Sequence, residues 1–109
     1  MTDHLPTNAI LDRHIVIDPA ICHGKPHLVG HRIRVQDIIV WHERMGMNVA
    51  EICAEYELSL AEVYAALAYY FDYKDTIDQD IATDQAYFEA FKNKNPSLLQ
   101  ERLKELRGR

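Results

Sequence analysis

The chain has 109 residues, a formal net charge of −5, and 48% hydrophobic against 27% charged residues. That balance fits one compact domain with a modest extension and argues against a disordered chain. Apolar runs such as Ile38 to Trp41 fall far short of the roughly 20 residues of a membrane span, and no secretory h-region opens the sequence. The expectation is a cytoplasmic protein with no membrane association. Two cysteines, Cys22 and Cys53, are too few for a disulfide framework and read as reduced thiols.

An acidic average does not exclude a nucleic-acid partner, because the distribution of charge sets the local field. Between Cys22 and Arg34 stand Lys25, Arg32, Arg34 and three histidines (His23, His27, His31), without a carboxylate. From Asn48 to Phe91 ten carboxylates face the single cation Lys74. After that Lys92, Lys94, Arg102, Lys104, Arg107 and Arg109 outnumber Glu101 and Glu105. The layout is basic, acidic, basic.

In chain order, residues 1–13 show no period and contain Pro6, Thr7 and Asn8, which suits a mobile arm. Ile15-Val16-Ile17, closed by Asp18-Pro19, reads as a brief strand. His27-Leu28-Val29 and Arg32-Ile33-Arg34-Val35 read as two more extended stretches around Gly30, together a small β ribbon. From Val35 the period becomes helical through Ile38, Ile39, His42 and Met45, with Gly46 as the stop. Asn48 and Glu51, then Ser59 and Glu62, have capping-box spacing and open a second and a third helix. Val49, Ile52, Cys53 and Tyr56 form the apolar face of the second; Leu60, Val63, Tyr64, Leu67 and Phe71 form that of the third, which runs to about Lys74. Trp41 and Tyr56, on such faces, suit core packing. Ile77, Ile81, Phe88 and Phe91 among aspartates suit a further helix ending near Asn93 or Asn95. Pro96 interrupts it, and Ser97 caps a last helix whose Leu99, Leu103 and Leu106 follow an i, i+4, i+7 stripe.

Two short helices joined at Glu57-Leu58-Ser59, with apolar residues at 52, 53, 56, 58, 63 and 67, have helix-turn-helix spacing. A glycine usually holds the left-handed residue of such a turn, and here Glu57 stands in its place. A helical hairpin in another all-α domain shares this spacing. The expected fold is therefore mainly α: a three-helix, homeodomain-like or winged domain over residues 14–76, with a short N-terminal β ribbon. Residues 77–109 are expected to form a helical extension.

The run Asp18-Pro19-Ala20-Ile21-Cys22-His23-Gly24-Lys25-Pro26, then Gly30-His31-Arg32-Ile33, Gly46, Ile52, Tyr56, Leu60, Val63 and Ala65-Ala66-Leu67, resembles the domain-of-unknown-function 433 family over about residues 15 to 73. His31 stands where that family often has Thr, and Cys22-His23 where it often has small residues. The resemblance implies a ribbon-bearing, three-helix DNA-binding-like fold. It also implies membership among VapB-like antitoxins encoded beside toxins with PIN-like nuclease domains.

On the residues themselves, Lys25, Arg32 and Arg34, with His31 beside them, are the candidate DNA contacts, since cations in a carboxylate-free ribbon neutralise phosphates. Arg32 and Arg34 share strand parity and so one ribbon face. The third helix lacks Lys and Arg and is a poor reader of bases. Leu99, Leu103 and Leu106, with Phe91, are the candidate protein-binding residues, because a short leucine-striped helix needs a surface to pack on. Its own domain would also serve. Two-fold operators suggest a homodimer. No P-loop, paired CxxC, HExxH or calcium loop is present, and Ser59 and Ser97 read as helix caps. No cofactor, metal or enzymatic activity is expected. The reading is an antitoxin-like component of a toxin–antitoxin system. It would bind its own promoter DNA for autoregulation and neutralise a PIN-like nuclease toxin by direct binding. The alternative is an interaction and dimerisation module on the same fold that binds no DNA.

Overall fold

The computed structural model describes residues 9–10 and 13–107. Strands β1 (Ala9–Ile10), β2 (Ile15–Ile17) and β3 (His27–Leu28) form an antiparallel sheet with β2 in the centre. Ala9 pairs with Ile17 and Ile10 with Val16 on one side; Ile15 pairs with Leu28 and Val16 with His27 on the other. β1 lies within the segment expected to be a mobile arm, whose residues 1–8 and 11–12 lie outside the described residues. Two residues are too few to show a period in sequence, and pairing covers what would otherwise be an open edge of β2.

Beyond β3 the chain turns back through Leu28–His31. The His31 N–H donates to the Leu28 carbonyl at 3.0 Å with Gly30 at φ 81, the third position of a type II turn, which asks for glycine. Leu28 N–H reaches the Ile33 carbonyl and Val35 N–H the Pro26 carbonyl, both at 2.9 Å, setting His27 opposite Arg34. The extended stretch expected over Arg32–Val35 thus reduces to one bridge at Arg34, since α1 (Val35–Ile39) begins directly after it. α1 widens into a π turn over Val40–Arg44. α2 (Val49–Tyr56), α3 (Leu60–Asp72), α4 (Lys74–Lys94) and α5 (Pro96–Arg107) follow. Pro96 occupies the first position of α5, where its missing N–H costs nothing, so Ser97 is inside the helix instead of capping it.

Both expected capping boxes are formed. The Glu51 N–H donates to Asn48 Oδ1 at 2.8 Å and the Glu62 N–H to Ser59 Oγ at 3.1 Å, while each glutamate carboxylate accepts from the cap's own N–H. α1 and α2 both pack on α3, as do β2 and β3. The core consists of Ile15, Leu28, Val35, Ile38, Ile39, Ile52, Leu58, Val63, Ala66, Tyr70 and Ile77. Trp41 and Tyr56 stack with ring centroids 3.7 Å apart and an interplanar angle of 4°, each half-buried at the edge of this core.

The chain divides into two compact units, Met1–Asp78 and Gln79–Arg109. The division falls inside α4 at Asp78, whereas the sequence suggested a boundary after Thr76. Among the described residues no helix is long and apolar enough to cross a membrane.

Candidate functional site

The basic ribbon is built on a strained turn. Asp18 Oδ1 accepts the Ala20 N–H at 2.9 Å and the Asp18 carbonyl accepts the Ile21 N–H at 3.0 Å, starting the turn that Pro19 favours. Cys22 (φ 53), His23 (φ 55) and Gly24 (φ 76) are then all left-handed. Such a conformation costs a non-glycine residue about 1–2 kcal/mol. Two backbone bonds of 3.0 Å, Gly24 N–H to Ile21 and Lys25 N–H to Cys22, hold the turn. The Cys22 thiol donates to the Arg32 carbonyl at 3.3 Å and ties it to the opposite limb of the ribbon. Desolvation raises the pKa of this thiol, and the nearby Arg34 opposes that rise. Neutral and engaged as a donor, the thiol acts here as a clasp.

The four candidate DNA contacts do not form one free cationic face. Arg34 folds back on the first turn of α1: its Nη2 lies 2.8 Å from Asp37 Oδ1 and its Nε 3.1 Å from Oδ2, which also accepts the Arg34 N–H at 2.9 Å. His31 Nε2 lies 2.9 Å from Glu62 Oε2. Glu62 thereby joins two structures at once, capping α3 through Ser59 and binding the ribbon through His31. The Ser59 N–H bond, above all, lowers the Glu62 pKa below the ordinary carboxylate range, and His31 adds to the effect. Lys25 is half-buried and Arg32 exposed. The shared ribbon face expected for Arg32 and Arg34 is therefore not formed. The bridge at Arg34 is followed at once by α1, and Asp37 captures its guanidinium.

Arg32, His31, Asp18, His27, Val16, Ile21 and Gly30 line a cavity of about 310 Å³ beside the turn. His27 is buried, and its Nδ1 donates to the Lys25 carbonyl at 2.9 Å. His42 is used in the same manner, Nδ1 to the Met47 carbonyl at 2.9 Å, closing the loop after the π turn. Among the described residues no three His, Cys, Asp or Glu converge on a metal-sized site.

α3 differs from its expected single apolar face. Val63, Ala66 and Tyr70 face the core, whereas Leu60, Tyr64 and Phe71 are 57%, 56% and 65% exposed. The third helix thus presents apolar side chains where a DNA-reading helix presents polar ones. In α4 every described side chain from Ala82 to Lys94 is exposed, including Tyr87, Phe88 and Phe91. Leu103 on α5 is also exposed; the side chains of Leu99 and Leu106 lie outside the described residues. Sequence reasoning named Phe91 and Leu103 and missed Tyr87 beside them. The signal was an aromatic pair, Tyr87-Phe88, in a stretch of otherwise polar and small residues.

The family model described as "Protein of unknown function (DUF433)" matches residues 15–70, from the central strand to the end of the α3 core face. The chain belongs to the DUF433 family. A crystal structure of a DUF433 member protein from Anabaena variabilis is similar to it, with a TM-score of 0.59 and 32% identity over 66% of this chain and 71% of that one. No curated protein matches this DUF433 chain. The matched segment ends at Tyr70, so the exposed aromatics of α4 lie beyond it.

Proposed function

We propose that this DUF433 protein is an antitoxin-like binding protein that neutralises a nuclease toxin of the PIN-like class by direct contact through its C-terminal helices. The observation that carries the reading is the surface of α4. Tyr87, Phe88 and Phe91 are 78%, 50% and 43% exposed on a stretch of α4 whose other side chains, from Ala82 onward, are polar or small. Clustered exposed aromatics are the usual anchors of protein interfaces, because each buries a large area at little entropic cost. Leu103 on α5 adds to the apolar surface of the same unit. The role is one of binding without turnover, needs no cofactor and goes with a cytoplasmic address.

The test is co-expression with the product of the adjacent reading frame and a nuclease assay on the purified mixture. Direct binding and loss of nuclease activity, both abolished by Tyr87→Ser with Phe91→Ser, are the expected result. Binding that survives this double change removes the aromatic surface from the reading, and no binding at all removes the toxin.

DNA binding for autoregulation belongs to the same reading and rests first on the exposed Arg32, with Lys25 near it in sequence and with His31 and Arg34 contributing only if Glu62 and Asp37 release them. The specific pairs Arg34–Asp37 and His31–Glu62 favour the second reading, an interaction module without DNA affinity. A promoter-fragment titration over a salt series separates the two. Phosphate contacts give a steep loss of affinity with salt, and Arg32→Ala lowers the slope by about one. Absence of binding at low salt leaves the interaction module.

A further inference from the structure

α3 carries two apolar faces, centred about 105° apart around the helix. Val63, Ala66 and Tyr70 fill the core, while Leu60, Tyr64 and Phe71 project outward, more than half exposed. At 3.6 residues per turn the outward three fall within an arc of about 40°, over a length of about 16 Å. Ala61 and Ala68 are exposed alongside them. No charged residue lies within this strip: Glu62 is turned to His31, and Asp72 stands at the C-terminal edge. A helix apolar all round is one made to be buried.

We propose that this face pairs antiparallel with the same face of a second copy of the chain. The sequence of the strip is self-complementary in that arrangement. A two-fold axis that sets Tyr64 on Ala68 of the partner subunit also sets Ala61 under Phe71 of the partner subunit, so large meets small at both levels. The same axis brings Asp72 of one copy to the start of the other α3, where the first-turn N–H groups carry positive partial charge. A parallel pairing would set the two Asp72 carboxylates side by side. The strip covers on the order of 400 Å² per copy, so two copies bury about 800 Å² before the flanking residues are added. That stands at the low end of specific interfaces and fits a dimer of micromolar strength. The pairing occupies the helix that a helix-turn-helix protein would otherwise lay in a DNA groove.

Sedimentation velocity of the full chain over a micromolar concentration series tests the proposal. The expected result is a reversible shift from 12.7 kDa to twice that mass. Tyr64→Glu and Phe71→Glu each weaken dimerisation by at least about tenfold while leaving the melting curve of the exposed-site variants unchanged. Tyr64→Ser, which adds no charge, reproduces the loss should either glutamate disturb the helix. Met45→Glu, at an exposed position outside the strip, leaves the dimer intact. A wild-type chain that stays at 12.7 kDa throughout, or a dimer indifferent to all three changes on α3, overturns the proposal. So does a monomer whose Tyr64→Glu variant loses a different protein partner, because the face then belongs to that partner.

Discussion

Glu57 is the residue at which local strain and global stability are most directly linked. It closes α2 at φ 55 and ψ 48, and its side chain is exposed. A left-handed L-residue costs about 1–2 kcal/mol, which glycine does not incur. Glycine also loses about 0.4–1 kcal/mol more backbone freedom on folding. The difference makes Glu57→Gly more stable by about 0.5–1 kcal/mol, since no packing is sacrificed. In a unit of this size that raises the melting temperature by about 3–6 °C. The sole tryptophan supplies a local probe: Trp41 stacks on Tyr56, the residue before Glu57, so its fluorescence follows this turn. Glu57→Ala is the control, because it removes the carboxylate and retains the Cβ. The strain argument requires Glu57→Gly to melt higher and Glu57→Ala to stay within about 0.5 kcal/mol of the parent. If the two variants melt together, the gain comes from lost negative charge and the strain account fails.

Two further changes read the polar bonds that fasten α3. Ser59→Ala removes the hydroxyl that accepts the Glu62 N–H and lowers stability by about 1 kcal/mol in urea titration. Because Glu62 has a depressed pKa, its contribution is complete above the ordinary carboxylate range and is lost as pH falls through its folded value; Glu62→Gln flattens that part of the acid melting profile. Tyr70 has the opposite sign. Burial, together with its 2.8 Å bond to Asp78, pushes its pKa up to about 12, so its contribution is complete below about pH 10 and is lost as pH rises from there toward 12. The bond is only part-buried, and solvent screening reduces the effect to about 1 kcal/mol. Tyr70→Phe removes this alkaline limb, and an unchanged limb shows that another group controls it.

Sequence features that depend on neighbours along the chain were readable. The two capping boxes, the pause at Glu57-Leu58-Ser59 and the helical period from Val35 are local, and each forms as its residues dictate. β1 was not readable, because two residues show no period of their own and gain order only by pairing with Val16 and Ile17. Helix faces were read in part. Leu60, Val63, Tyr64, Leu67 and Phe71 span an arc of about 100° around α3, and sequence alone does not say which edge of that arc meets the core. Contact with α1 and α2 decides it: Val63, Ala66 and Tyr70 turn inward, Leu67 is half-buried, and Leu60, Tyr64 and Phe71 are left to solvent.

The candidate site was least readable, for an electrostatic reason. A stretch without carboxylates in sequence is not a stretch without negative partners, because charge is neutralised through space. Asp37 lies three residues beyond Arg34 and meets it because the chain converts from bridge to helix between them. Glu62 reaches His31 from another element altogether. Each pair adds little stability at its exposure, since a part-exposed ion pair contributes at most about 1 kcal/mol. Their effect on recognition is larger. A phosphate must displace a carboxylate already in place before it gains either side chain, so the ribbon attracts a polyanion far less than its composition suggests. An apolar surface has no such internal competitor. Tyr64 and Phe71 on α3, and Tyr87 and Phe91 on α4, stand exposed with only water to displace. By that comparison the energy available for recognition resides chiefly in two apolar helix faces, and partners that bury them have more to gain than nucleic acid has from the ribbon.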